Sequence, residues 1–179
     1  MKGAVFIALG DMVSEAHGLN TWLSLLDEVG DDGVFTATMN YDDERLYRLV
    51  EAICSRLKVE ASDALRGFGE YLFAALHKSA PVFADSKTTF LDFVESIGSV
   101  IHIEVYKLDD KARPPKITVL DRTEDSADLR YESDRKLCYL AEGLLKGAAA
   151  HYGVEVSVSQ TQCMHEGADS CVLRLNQNG

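Results

Sequence analysis

The chain reads as α+β: an N-terminal helical lobe followed by a lobe in which one helix packs on an antiparallel sheet. Three observations predict it. As far as Gly98 the apolar residues recur with the three-and-four spacing of helix faces. Beyond Gly98 come short extended runs, one small-residue-rich helical stretch (AEGLLKGAAA, 141–150) and a closing pair of strand-like segments. No repeat, low-complexity tract or linker interrupts the 179 residues, so residues 1–179 are expected to form a single domain.

The elements follow in order. From Met1 to about His17 apolar residues fall at 5, 6, 8, 9, 12, 13 and 16, and Gly18 supplies a stop. A short helix over Thr21–Val29 has Asn20 as its cap and Gly30 as its end. Residues 33–40 mix strand and loop character. Tyr41–Leu57 is amphipathic, with Leu46, Leu49, Val50, Ile53 and Leu57 on one face and acids in the first turn. Ala61–His77 and Thr88–Ile97 are two more helices, separated by a turn at Pro81. The segment 99–108 fits strand or helix equally. Pro114-Pro115 forces an extended approach to a strand near Ile117–Leu120, and Leu129–Ser133 is a second strand. Arg135–Tyr152 is a helix, followed by a strand pair, Val154–Ser159 and Ser170–Leu175.

Composition narrows the function classes. Hydrophobic residues make up 46% and charged residues 26%, as in an ordinary soluble globular protein. A net charge of −11 opposes binding to nucleic acid or to anionic membranes. It is compatible with a basic protein partner. No run approaches the ~20 apolar residues needed to span a bilayer. Asp11 and Glu15 interrupt any signal-peptide layout at the start, so cytoplasm is the expected location.

Two constellations carry chemistry. His102 is framed by apolar residues (VIHIEVYKL), and 29 positions later the alternating residues Tyr131, Ser133 and Arg135 begin. An extended segment would project those three donors to one side. Arg offers a planar fork to carboxylate, and the hydroxyls add donors. An imidazole with such a cluster supplies what haem needs: a nitrogen for iron and partners for two propionates. By itself a lone histidine such as His102 is more often a satisfied core residue than a ligand, and the triplet is equally read as a solvated strand edge. His17, His77, His151 and His165 are the other histidines. His77 competes as a ligand but falls at a helix end beside Lys78 and Ser79.

An ordered set of landmarks covers nearly the whole chain, through Met1-Lys2-Gly3 in MKGAVFIALGDMV, Trp22, FGEYLF at 68–73 and IHIEV at 101–105. It continues with Pro114-Pro115, YESDR at 131–135 and AEGLLKGAA at 141–149. In this order the landmarks resemble the haem-nitric oxide/oxygen-binding (H-NOX) family. The resemblance implies that 99–108 is helix and that haem b lies between the two lobes. It makes His102 the proximal iron ligand and Tyr131, Ser133 and Arg135 the propionate partners, with Pro115 pressing on the porphyrin. Leu9, Leu72 and Leu140 match lining positions on the distal side. Oxygen-binding relatives place tyrosine where Leu140 stands, and bound dioxygen needs a hydrogen-bond donor that nitric oxide does without. Tyr139 is next door, but one helical position is a rotation of about 100°. The resemblance therefore implies a nitric oxide sensor that also binds carbon monoxide, and not an enzyme. A haem enzyme would need a distal acid–base pair, and none stands at the matched positions. Stand-alone bacterial members act in trans on a histidine kinase or on a diguanylate cyclase or phosphodiesterase.

Cys163, Met164, His165 and Cys171 fall at the closing strand pair, and Cys138 opens the preceding helix. Thiolates brought together from a hairpin and a helix suit tetrahedral zinc. A subset of the family carries such a site, with a histidine three residues before the first hairpin cysteine. Here that position is Gln160, and His165 is the replacement candidate on strand parity. Three buried thiols without metal is the alternative. Reactive thiolates there would also be oxidisable, so a cysteine/zinc redox sensor with haem secondary stands as a second function. Cys54, on an apolar helix face, reads as a small buried hydrophobe.

Overall fold

The amphipathic spacing folds as a helical lobe in the computed structural model, which describes residues 1–109 and 111–178. Its helices are α1 (Gly3–His17), α2 (Leu19–Val29), α3 (Asp43–Leu57) and α4 (Ala61–Ser79). Asp42 caps α3 by accepting the Glu44 amide at 3.1 Å. The expected apolar face of α3 is buried at Leu46, Leu49 and Ile53 and partly buried at Val50 and Leu57. α2 starts earlier than the sequence suggests. Gly18, at φ 87°, ends α1 by donating its amide to the Ser14 carbonyl and immediately precedes α2. Asn20 is thereby drawn into the first turn instead of capping it. Residues 33–40 form turns and one isolated bridge, Lys2 to Asn40.

The Pro81 turn contains a one-turn helix, α5 (Val82–Asp85). Thr89 caps α6 (Phe90–Ser96), and the chain then widens into a π-helical turn, Ile97–Ile101, before α7 (His102–Leu108). The ambiguous segment 99–108 is thus helical.

Four strands follow: β1 (Lys116–Arg122), β2 (Ser126–Glu132), β3 (Glu155–Gln162) and β4 (Cys171–Asn178). They pair antiparallel in the order β1-β2-β4-β3, and α8 (Cys138–His151) packs on the sheet. β2 begins and ends earlier than expected. The Lys136 amide closes a turn onto the Ser133 carbonyl and Lys136 takes φ 50°, so Ser133 leaves the strand. The same turn delays α8 from Arg135 to Cys138.

Two buried clusters meet at α4 and α8. Phe6, Leu9, Trp22, Leu46, Phe68, Leu72 and Leu140 belong to the first, in the helical lobe. Phe73, Val94, Leu129, Leu145, Leu173 and Leu175 belong to the second, between helices and sheet. The α4–α8 crossing is close enough that a Cβ on Gly143 would lie 2.0 Å from the Arg66 carbonyl oxygen. Among the described residues no helix is long and apolar enough to cross a membrane.

Candidate functional site

His102 opens α7 directly after the π-helical turn. Such turns admit an extra residue and re-aim the side chains that follow, which is why they recur at functional sites. Gly98, inside the turn, packs against β1 so tightly that a Cβ there would come 2.1 Å from the Ile117 carbonyl oxygen. The imidazole is half-buried, and among the described residues its buried Nδ1 has no hydrogen-bond partner. Burial pushes its pKa below the ordinary value, although the Pro115 carbonyl near the ring favours the protonated form. The outcome at neutral pH is an uncharged ring, the state in which imidazole ligates a metal.

Tyr131, Ser133 and Arg135 do not share one extended face as their spacing suggests, because the turn at Asp134–Arg135 redirects the last of them. Tyr131 lies in β2, paired with Ile117 and Cys171. Its hydroxyl accepts the Leu137 amide at 3.2 Å, and burial raises the phenol to about 12. The Ser133 hydroxyl accepts the Arg135 amide at 3.3 Å. The Arg135 guanidinium donates from Nε to Asp43 at 2.7 Å and from Nη1 to the Arg113 carbonyl. Asp43 also accepts the Met1 ammonium at 2.6 Å. Against the cost of burial, that ammonium and Arg135 hold the Asp43 carboxyl below its ordinary range. Arg113 is two residues from Pro115, so His102, Pro115 and Arg135 are linked through one short loop. Asp43 and Arg113 are the partners that sequence reasoning missed. The acid at Asp43 was legible only as a helix-start residue, and a backbone carbonyl carries no residue signal.

Leu9, Leu72 and Leu140 come from α1, α4 and α8 and are buried together in the first cluster. Three phenols beside that cluster have hydrogen-bond partners elsewhere. Tyr47 donates to the Arg135 carbonyl at 3.4 Å, Tyr71 donates to Glu15 at 2.9 Å, and Tyr41 accepts the Thr36 amide at 2.8 Å. Tyr139 stacks on His165, with centroids 5.2 Å apart and planes at 9°, and carries the Arg66 guanidinium 4.7 Å above its ring. An apolar cavity of about 320 Å³ opens beside Leu9, lined by Met12, Val50, Ile53, Leu65 and Phe68. None of the residues around His102 lines it.

Cys138, Cys163 and Cys171 are all buried, with their sulfurs within 4.8 Å of one another. Burial pushes the Cys138 thiol up to about 12 and raises Cys171 as well. Uncharged thiols are what an apolar pocket favours; a cation would have to displace their protons. His165 stands apart from them, donating Nε2–H to the Lys136 carbonyl at 2.8 Å. Gln160 donates to Glu142 at 2.6 Å, and among the described residues its buried Oε1 has no partner. Cys54 lies outside the cluster and is half-buried.

Haem needs one uncharged nitrogen and cationic or hydroxyl partners for its carboxylates, and this donor set fits it: the partnerless His102 nitrogen together with Arg135. The family model described as haem-NO-binding matches residues 2–160. The chain is similar to an H-NOX protein from S. oneidensis solved in the Fe(II)NO ligation state, at TM-score 0.94 and 35% identity, with 100% of each chain covered. The H-NOX domain from Shewanella oneidensis in the Fe(II)CO state aligns at TM-score 0.91 and 35% identity, over 100% of this chain and 99% of that one. Fe(II) unliganded H-NOX from K. algicida shares the fold at TM-score 0.89 and 23% identity, over 100% and 97%.

Proposed function

The chain belongs to the haem-NO-binding (H-NOX) family, and from that premise we propose that residues 1–179 act as one haem-based gas sensor with His102 as proximal iron ligand. H-NOX is a sensor fold, and the finer assignments are ours. Bound haem b between the lobes would supply the iron at which a diatomic gas binds. Arg135 would hold a propionate as a charged donor, with Tyr131 and Ser133 beside it, and Pro115 would bear on the porphyrin. To reach a propionate, Arg135 would share its fork with Asp43 or release it.

The observation that carries gas choice is the apolar trio Leu9, Leu72 and Leu140, with the Tyr47 and Tyr71 hydroxyls bonded to the Arg135 carbonyl and Glu15. A polarised dioxygen finds no donor there; nitric oxide and carbon monoxide need none. Absorption spectra of the purified ferrous protein test this. The expected result is an unliganded spectrum in air that changes on adding carbon monoxide or nitric oxide. A stable oxygenated spectrum would overturn it. The output we propose is in trans, on a histidine kinase or a diguanylate cyclase or phosphodiesterase, and it rests on resemblance to stand-alone bacterial members.

The three clustered thiols favour a second reading, a cysteine/zinc redox sensor with haem secondary. In that reading Cys138, Cys163 and Cys171 are zinc ligands, with His165 or another group completing the set. A Soret band in the purified protein supports the first reading; a colourless protein carrying zinc supports the second.

A further inference from the structure

We infer that His77, Asp85 and His151 form a site for a divalent transition-metal cation, separate from both the thiol cluster and His102. The three residues come from three elements: His77 from the last turn of α4, Asp85 from α5 and His151 from the end of α8. Both imidazoles turn Nε2 to the same carboxylate oxygen, Oδ1 of Asp85, at 2.8 Å from His77 and 3.4 Å from His151. All three ligand atoms lie within 4.8 Å of one another. A tetrahedral zinc ion with bonds near 2.0–2.1 Å holds its ligand atoms roughly 3.4 Å apart, so rotamer adjustments of a fraction of an ångström to about 1 Å admit the ion.

The geometry is held from behind. The His77 ring lies parallel to Phe73, with centroids 6.1 Å apart and planes at 7°, and the His151 ring meets Tyr152 edge-on at 5.1 Å. Tyr152 donates its hydroxyl to the Ala84 carbonyl at 2.6 Å, which ties the residue preceding Asp85 to the end of α8. Aromatic rings thus back both imidazoles, and the backbone beside Asp85 is tied to α8.

Electrostatics favours a cation at this point. α4 and α8 both end here, and the carbonyl ends of two helices add negative potential to the carboxylate. Among the described residues Asp85 has no Lys or Arg within ion-pair distance; the side chains that face its carboxylate are these two imidazoles. Two imidazoles and one carboxylate select zinc, cobalt, nickel or copper over calcium and magnesium, which prefer all-oxygen shells. The side chains keep 25%, 54% and 29% of their surface exposed, leaving a fourth position open to water.

Zinc titration of the full chain, followed by calorimetry and by metal analysis after desalting, tests the assignment. The wild type should bind one equivalent of zinc more than the His77→Ala/His151→Ala variant. A Cys163→Ser variant should keep that histidine-dependent equivalent, which separates the site from the thiols. Equal stoichiometry in the wild type and the double histidine variant overturns the proposal. Asp85→Asn is an exposed single change that retains the fold even if the double variant does not. It should weaken the histidine-dependent equivalent by roughly tenfold or more. Unchanged affinity in that variant overturns the proposal equally.

Discussion

A single unpartnered nitrogen on His102 sets the terms at the residue scale. Its neutrality comes from burial, and no other histidine stands in a matching context. His102→Gly should abolish stable haem attachment, and added imidazole should restore it. Retention of a normal five-coordinate ferrous spectrum by that variant would remove His102 from the proximal role. Arg135→Ala should lower haem retention more than Ser133→Ala, because it deletes a charged donor where the second deletes a hydroxyl engaged with a local amide. Haem occupancy after gel filtration ranks the two. Asp43 gives a pH signature in the apoprotein. Its carboxyl is held below the ordinary 3.8, so its contribution to stability is complete above that value and is lost as pH falls through the lowered one. Denaturation midpoints of the wild type and Asp43→Asn should therefore differ at neutral pH and converge as pH drops below about 4. His102 and the triplet were legible from residue type and order. Asp43 and Arg113 were not, since they approach Arg135 from 92 and 22 positions away.

At the scale of elements, short turns set what the helices present. The π-helical turn Ile97–Ile101 precedes His102 and is pinned to β1 through Gly98. Periodicity could not reveal it, because one extra residue in one turn hardly disturbs a short window. The tight turn after β2 likewise moved Ser133 and Arg135 off the strand, where spacing alone had left them. Tyr131 joins two sites in this region. Its hydroxyl is bonded by the Leu137 amide, Cys138 follows directly, and Cys171 is its cross-strand partner. The α4–α8 crossing invites a direct test. Gly143→Ala must force the helices apart, since the added carbon would meet the Arg66 carbonyl at 2.0 Å. A loss of roughly 1–3 kcal/mol in unfolding free energy is expected by denaturant titration, of the order seen for overpacked cores. The smallness of AEGLLKGAAA was plain in the sequence; which helix it accommodates was not.

Over the whole molecule, α4 and α8 contribute residues to both buried clusters and so join the two lobes. The α+β class was legible because long amphipathic runs and short extended ones differ in period, whereas strand order depends on pairings distant in the chain. Gas choice belongs to this scale, since Leu9, Leu72 and Leu140 come from three helices. Leu140→Tyr should prolong oxygen binding by about one hydrogen bond, roughly 1–3 kcal/mol if the hydroxyl is aimed at the gas. Absorption spectra of the ferrous variant under rising oxygen measure it, and a variant that stays as unliganded as the wild type would place the distal side elsewhere. Trp22, the one tryptophan of the chain, is buried in the same cluster as those leucines. A porphyrin bound within energy-transfer range of that indole would absorb its emission. Trp22 emission would then gauge cofactor loading without any label: bright when empty, dark when filled.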